Sequence, residues 1–98
     1  MELLVLRSWL TGPANLESLV QQTLDDKFDG IEGPIPQNSQ QRHLLRRLLQ
    51  DHGLVFIAEA TTGTDPDGSK EWWIPHPDRT LDEHLTDLKW TVDHASEI

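Results

Sequence analysis

Leu44-Leu45-Arg46-Arg47-Leu48-Leu49-Gln50-Asp51-His52-Gly53-Leu54-Val55-Phe56-Ile57-Ala58 decides how this chain folds. The paired leucines recur at helical spacing and give a helix one apolar face. Gly53 supplies the left-handed stop that ends a helix. Leu54 to Ala58 is then a continuous apolar run, rich in branched and aromatic residues, and reads as a strand. Helix, glycine, strand is the junction of an alternating α/β chain.

The same grammar extends in both directions. Upstream, the apolar run Glu2-Leu3-Leu4-Val5-Leu6 predicts a strand over 2–8, covered on both faces. After the turn Thr11-Gly12-Pro13, Asn15 is an N-cap. Leu16, Leu19, Val20 and Leu24 then give a helix over 15–27 with one buried stripe. Phe28 opens a second strand over 28–32, stopped by Pro34 and Pro36. The second helix runs over 38–52, with Asn38 and Gln41 as its capping pair, and the third strand over 54–60. Downstream, a long loop over 61–79 leads to a helix over 80–96, opened by the capping box Thr80-Leu81-Asp82-Glu83.

Three strand–helix units in this order imply parallel pairing through helical crossovers. A closed parallel barrel uses eight such units in roughly 250 residues, about 31 each. Three units take roughly 93 residues on that arithmetic, and the chain has 98. The expected fold is therefore α/β: three consecutive βα units of a parallel (β/α) barrel, an incomplete barrel forming one partial domain over 1–98.

Composition narrows the partners. Net charge is −9, from 17 acidic and 8 basic residues, which argues against a nucleic-acid backbone as ligand. The basic cluster Arg42, Arg46 and Arg47 reads as a solvated helix face. Cysteine is absent, which excludes disulfides and thiolate metal sites. No apolar run is long enough to span a membrane, and mean hydropathy is −0.53. A cytoplasmic protein is expected, with neither nucleic acid nor membrane as partner.

In a parallel barrel, chemistry sits at the C-terminal strand ends. Those ends present Arg7 and Trp9, then Glu32, then Glu59. Two carboxylates and a guanidinium at one mouth would bind a hydroxylated, sugar-like molecule or tune one another's protonation. The structural alternative pairs Arg7 with Glu32 and Glu59 as a polar network inside the barrel. Trp72 and Trp73 lie in the long loop and would overhang the mouth as a lid, or pin the loop to the rim. Asp65-Pro66-Asp67-Gly68-Ser69 fails the calcium-loop pattern, its glycine falling two positions early. His43, His52, His76, His84 and His94 show no ligand spacing, so no metal site is read from the residues. On the last helix, Leu81, Leu85, Leu88 and Val92 form the stripe that would dock on the sheet. Trp90 falls opposite and reads as an association residue.

With these residues named, the chain resembles the front of the xylose-isomerase-like barrels, the sugar phosphate isomerase/epimerase group. The matching segments are Leu3-Leu4-Val5-Leu6-Arg7-Ser8, Phe28-Asp29-Gly30-Ile31-Glu32-Gly33-Pro34, Leu49 through Glu59, and Asp82-Glu83-His84-Leu85. The resemblance implies a divalent metal, Mn or Mg, held by residues from later strands of a complete barrel. It implies none in this chain alone, and it carries over Glu32 and Glu59 as mouth-lining residues. Two functions follow as expectations. One is a partial sugar isomerase or epimerase, incomplete by itself and moving a proton next to a carbonyl. The other is a non-enzymatic module that self-associates or docks a partner supplying the missing strands.

Overall fold

The computed structural model describes residues 3–9, 15–60, 62 and 78–98. The chain forms two compact units, residues 1–59 with Glu97 and Ile98, and residues 60–96. In the first unit, β1 (Leu6–Ser8), α1 (Leu16–Asp25), β2 (Gly30–Pro34), α2 (Ser39–His52) and β3 (Val55–Glu59) follow one another; α3 (Leu81–Ala95) belongs to the second. The three strands form a parallel sheet in the order β1-β2-β3.

Local chemistry explains where the elements of the first unit begin and end. Asn15 stands in extended backbone and its Oδ1 accepts from the Ser18 amide at 2.7 Å, opening α1. Asn38 does the same for α2, accepting from the Gln40 and Gln41 amides. Gly53 takes the left-handed backbone, φ 65°, that closes α2. The end of α1 uses the same geometry on a less suitable residue. Lys27 adopts φ 62°, the Phe28 amide reaches the Thr23 carbonyl, and the Lys27 amide reaches Leu24.

That turn occupies the residues expected to start the second strand. As a result β2 begins at Gly30, not at 28, and runs on through Pro34. Asp29 becomes a clasp: its Oδ2 accepts from the Val5 amide, its amide donates to Val5, and its carbonyl accepts from Val55. β1 likewise starts at Leu6 rather than at 2.

The core lies on one side of this sheet. Leu16, Leu19 and Val20 of α1 meet Ile31 of β2 and Leu45 and Leu49 of α2 in one buried cluster, with Trp9, Phe56 and Ile98 packed against it. Both helices therefore cover the same face. The expectation that the first strand is covered on both faces is corrected here: Leu3, Leu4 and Val5 are exposed, as are Val55 and Ile57 of β3. Strand residues alternate between faces, and α1 and α2 both shield the face of Ile31.

In the second unit, Thr80 and Glu83 form the reciprocal capping box that opens α3. Arg79 pairs with Glu83 at 2.6 Å and with Asp87 at 3.2 Å, tying the first turns together. The helix faces are not distributed as its periodicity suggests. Leu81, Leu85, Leu88 and Val92 are exposed, whereas Trp90 is half-buried and stacked on His94, ring centroids 4.4 Å apart. The His94 Nδ1 lies 2.7 Å from the Trp90 carbonyl oxygen, which fixes the ring one turn along the helix. Among the described residues, no helix is long and apolar enough to cross a membrane.

Candidate functional site

Strand register sorts the candidate residues. Arg7 stands level with Ile31 and Phe56, and Ser8 level with Glu32 and Ile57. Residues level with one another in a parallel sheet project to the same face, and neighbours along a strand to opposite faces. Arg7 therefore shares the helix-covered face with Ile31, while Glu32 points away from α1 and α2. Glu59, level with Pro34 and two residues beyond Ile57, shares the open face with Glu32.

The contacts agree. The Arg7 guanidinium donates to Asp26 at 2.8 Å and to Gln22 at 3.3 Å, both at the end of α1. Cationic groups are favoured there by the helix dipole. Its Nε is buried without a hydrogen-bond partner. The mouth network of Arg7 with Glu32 and Glu59 is thus not formed; a single position of register puts the guanidinium behind the sheet.

Trp9 follows Arg7 to the covered side. Its amide donates to the Glu32 carbonyl at 2.8 Å. Its ring crosses Gly33 so closely that a Cβ there would lie 2.8 Å from the Trp9 Cβ. Trp9 packs against the core, and its contacts are those of a structural side chain. Trp72 and Trp73 lie outside the described residues, as do the Asp65–Ser69 segment and His76.

What remains together is a carboxylate pair. Glu32 and Glu59 are half-buried on the same face of neighbouring strands, Glu32 in the middle of β2 and Glu59 at the end of β3. Desolvation first, then the hydrogen bond and the negative charge of Glu32, raise the pKa of Glu59 above the ordinary carboxylate value. Two carboxyl groups in contact hold one proton between them more readily than two charges. Ser8 stands beside Glu32 on the neighbouring strand, adding a hydroxyl to the same face. This group can accept and donate hydrogen bonds, and it can hold or release a proton. Its donor set does not fit the divalent metal that the resemblance implies for a complete barrel. Two carboxylates fall short of the oxygen-rich shell such an ion takes, and no group of three His, Cys, Asp or Glu side chains converges among the described residues.

Two features escaped the sequence reading. Arg42, expected on a solvated face with Arg46 and Arg47, is 6% exposed; its guanidinium turns inward to the Pro36 and Gln37 carbonyls and to Glu97. His84, read there only as lacking ligand spacing, is half-buried, with Nδ1 2.9 Å from the Thr62 hydroxyl. Neither partner lies within helical spacing, so periodicity carried no signal for them. No protein-family model, no curated protein and no solved structure matches the chain.

Proposed function

We propose that the first unit is the front wall of a xylose-isomerase-like sugar isomerase or epimerase barrel, with Glu32 and Glu59 lining its mouth. One observation carries this reading: Glu32 and Glu59 stand on neighbouring strands on the face turned away from both helices, Glu59 at the C-terminal end of β3 and Glu32 two residues short of the end of β2. In a parallel barrel that face is the interior, and that end is where substrates bind. Consecutive strands in sequential order, with α1 and α2 on one side, are also how such a wall is built. In this reading the pair hydrogen-bonds substrate hydroxyls and shuttles a proton beside a carbonyl. Strands beyond these three complete the site, and a divalent metal would be held there by their residues.

The test uses Glu59→Gln. A raised carboxyl pKa means that the folded state holds its proton more tightly than the unfolded chain. That contribution is present below the unfolded pKa and lost as pH rises through the higher folded value. Glu59→Gln, which stays neutral, is therefore expected to be more stable than wild type at pH 7 and equal to it near pH 4 in urea melts. Titration with aldose and ketose phosphates, followed on the Glu32 and Ala58 NMR signals, should shift wild type and leave Glu59→Gln unmoved. Equal stabilities at both pH values, with no sugar-induced shift, would overturn the proposal.

Exposed Leu4, Val55 and Ile57 favour a second reading, a non-enzymatic module that self-associates or docks a partner through this face. Sedimentation at micromolar concentration is then expected to show dimers or larger species, reduced to monomer by Ile57→Lys. A compact wild-type monomer would rule out self-association.

A further inference from the structure

Helix α3 shelters its polar side and exposes its apolar one. His84, Asp87, Trp90, Thr91 and His94 are half-buried, whereas Leu81, Leu85, Leu88 and Val92 lie between 43% and 72% exposed. No residue of the helix is buried. At 15 residues α3 is at the lower limit for a helix in water, and helices in proteins owe most of their stability to a packed apolar face. Its four exposed apolar side chains fall within about 60° of arc at 3.6 residues per turn. Lys89, the one Lys or Arg of α3, is exposed on the flank of that stripe, one turn after Leu85. Asp82 and Asp93 stand farther round the same flank.

The open face of the sheet has the matching pattern. Val55 and Ile57 make an exposed apolar track along β3. Glu59 stands at the end of the track, and Glu32 on β2 stands level with Ile57. Gly30, level with Leu6 and Val55, places no side chain between them. Leu81 to Val92 span about 16 Å at 1.5 Å per helical residue. Val55 to Glu59 span about 13 Å at 3.3 Å per strand residue.

We propose that the open sheet face is covered by α3 of a second copy, with Leu85, Leu88 and Val92 on Val55 and Ile57 and Lys89 opposite Glu32 and Glu59. This names the partner for the self-associating module and rests on that reading. Charge decides between the two ways in which copies of this chain could use the face. Sheet on sheet would set the carboxylates of one copy against those of the other, which is unfavourable. Helix on sheet sets the ammonium of α3 against them and buries the stripe that α3 leaves in water. An amphipathic helix laid on an apolar sheet face is also an ordinary layer packing. The sheet belongs to the first unit and α3 to the second, so every copy carries one acceptor face and one donor helix.

Mixing two variants of the full chain tests it. Ile57→Lys spoils the face and keeps the stripe; Leu88→Glu spoils the stripe and keeps the face. Both side chains are exposed, so each variant is expected to keep wild-type circular dichroism. Val55→Lys repeats the face arm if Ile57→Lys unfolds the sheet. Each variant alone is expected to associate about tenfold more weakly than wild type or less still, sedimenting as a monomer at micromolar concentration. Their equimolar mixture should form a one-to-one heterodimer, because one intact face and one intact stripe remain. Lys89→Glu should weaken association about tenfold, and Lys89→Glu with Glu59→Lys should recover most of that loss. Wild-type association that Leu88→Glu and Lys89→Glu leave unchanged would overturn α3 as the occupant while leaving self-association through the face standing. Variants that stay monomeric on mixing would also overturn it. A monomeric wild type would remove the inference and the reading beneath it together.

Discussion

Gly30→Ala is expected to abolish cooperative folding of the first unit. A Cβ built on Gly30 would lie 2.1 Å from the Val55 carbonyl oxygen and 2.8 Å from its carbon, with a Leu6 methyl at 2.9 Å. A flexible side chain could swing away, but the Val55 carbonyl is main chain. Its strand is held in register with β2, and the Val55 amide donates to Asp29 just before it. Relief of the clash therefore means pulling β3 from β2. Adding a methyl to a packed core costs about 1–3 kcal/mol where side chains can move, and more where they cannot. A unit of about 60 residues has only roughly 3–9 kcal/mol of stability at about 0.05–0.15 kcal/mol per residue. The expected result is loss of the cooperative urea transition and of near-ultraviolet circular dichroism. A sharp transition within 1 M urea of wild type would show that the strands sit farther apart than described.

Ile31→Ala, one residue on, should fail in the opposite way. Ile31 is fully buried in the central strand, where α1 and α2 meet the sheet. Its truncation leaves a cavity bounded by Leu19 and Leu45, both inaccessible to water. Such substitutions cost about 2–5 kcal/mol, set by how far the surroundings collapse. With a denaturant slope of about 1 kcal/mol per M in urea for a small unit, the midpoint should fall by about 2 M or more. The slope should stay constant, since the folded and unfolded ensembles remain the same two states. A midpoint shift below about 0.5 M would mean that the helices do not close over this strand. Neighbouring residues thus fail by overpacking and by underpacking, a direct consequence of the two-residue period of a strand.

The carboxylate pair was partly legible. Glu59 closes an apolar run and Glu32 follows Ile31 in the expected second strand, so each glutamate is a conspicuous choice beside apolar strand residues. Arg7 had the same appearance and belongs elsewhere. Nothing within Leu6-Arg7-Ser8 says whether residue 7 or residue 8 will stand level with Glu32. A one-residue slip exchanges the faces of a whole strand. The slip was in effect made at 28–32, where Lys27 and Phe28 close α1 and push the strand start to Gly30. Helix α3 shows the same limit: its stripe of Leu81, Leu85, Leu88 and Val92 is exposed while Trp90 finds His94 one turn away. Apolar spacing states which residues share a face, not which face is covered.

By itself the sequence determined the alternation of strands and helices and the chemistry of their boundaries: Asn15, Asn38, Gly53, and Thr80 with Glu83. Each of these acts within one turn of backbone, on groups at most a few residues away. Tertiary structure alone decided that Arg7 backs onto Asp26 while Glu32 meets Glu59, and that Arg42 is buried against Glu97. Those outcomes depend on register and on contacts across 19 to 55 residues. They are chosen by which apolar side chains can be buried together, a property of the assembled sheet and helices that no short stretch of chain contains.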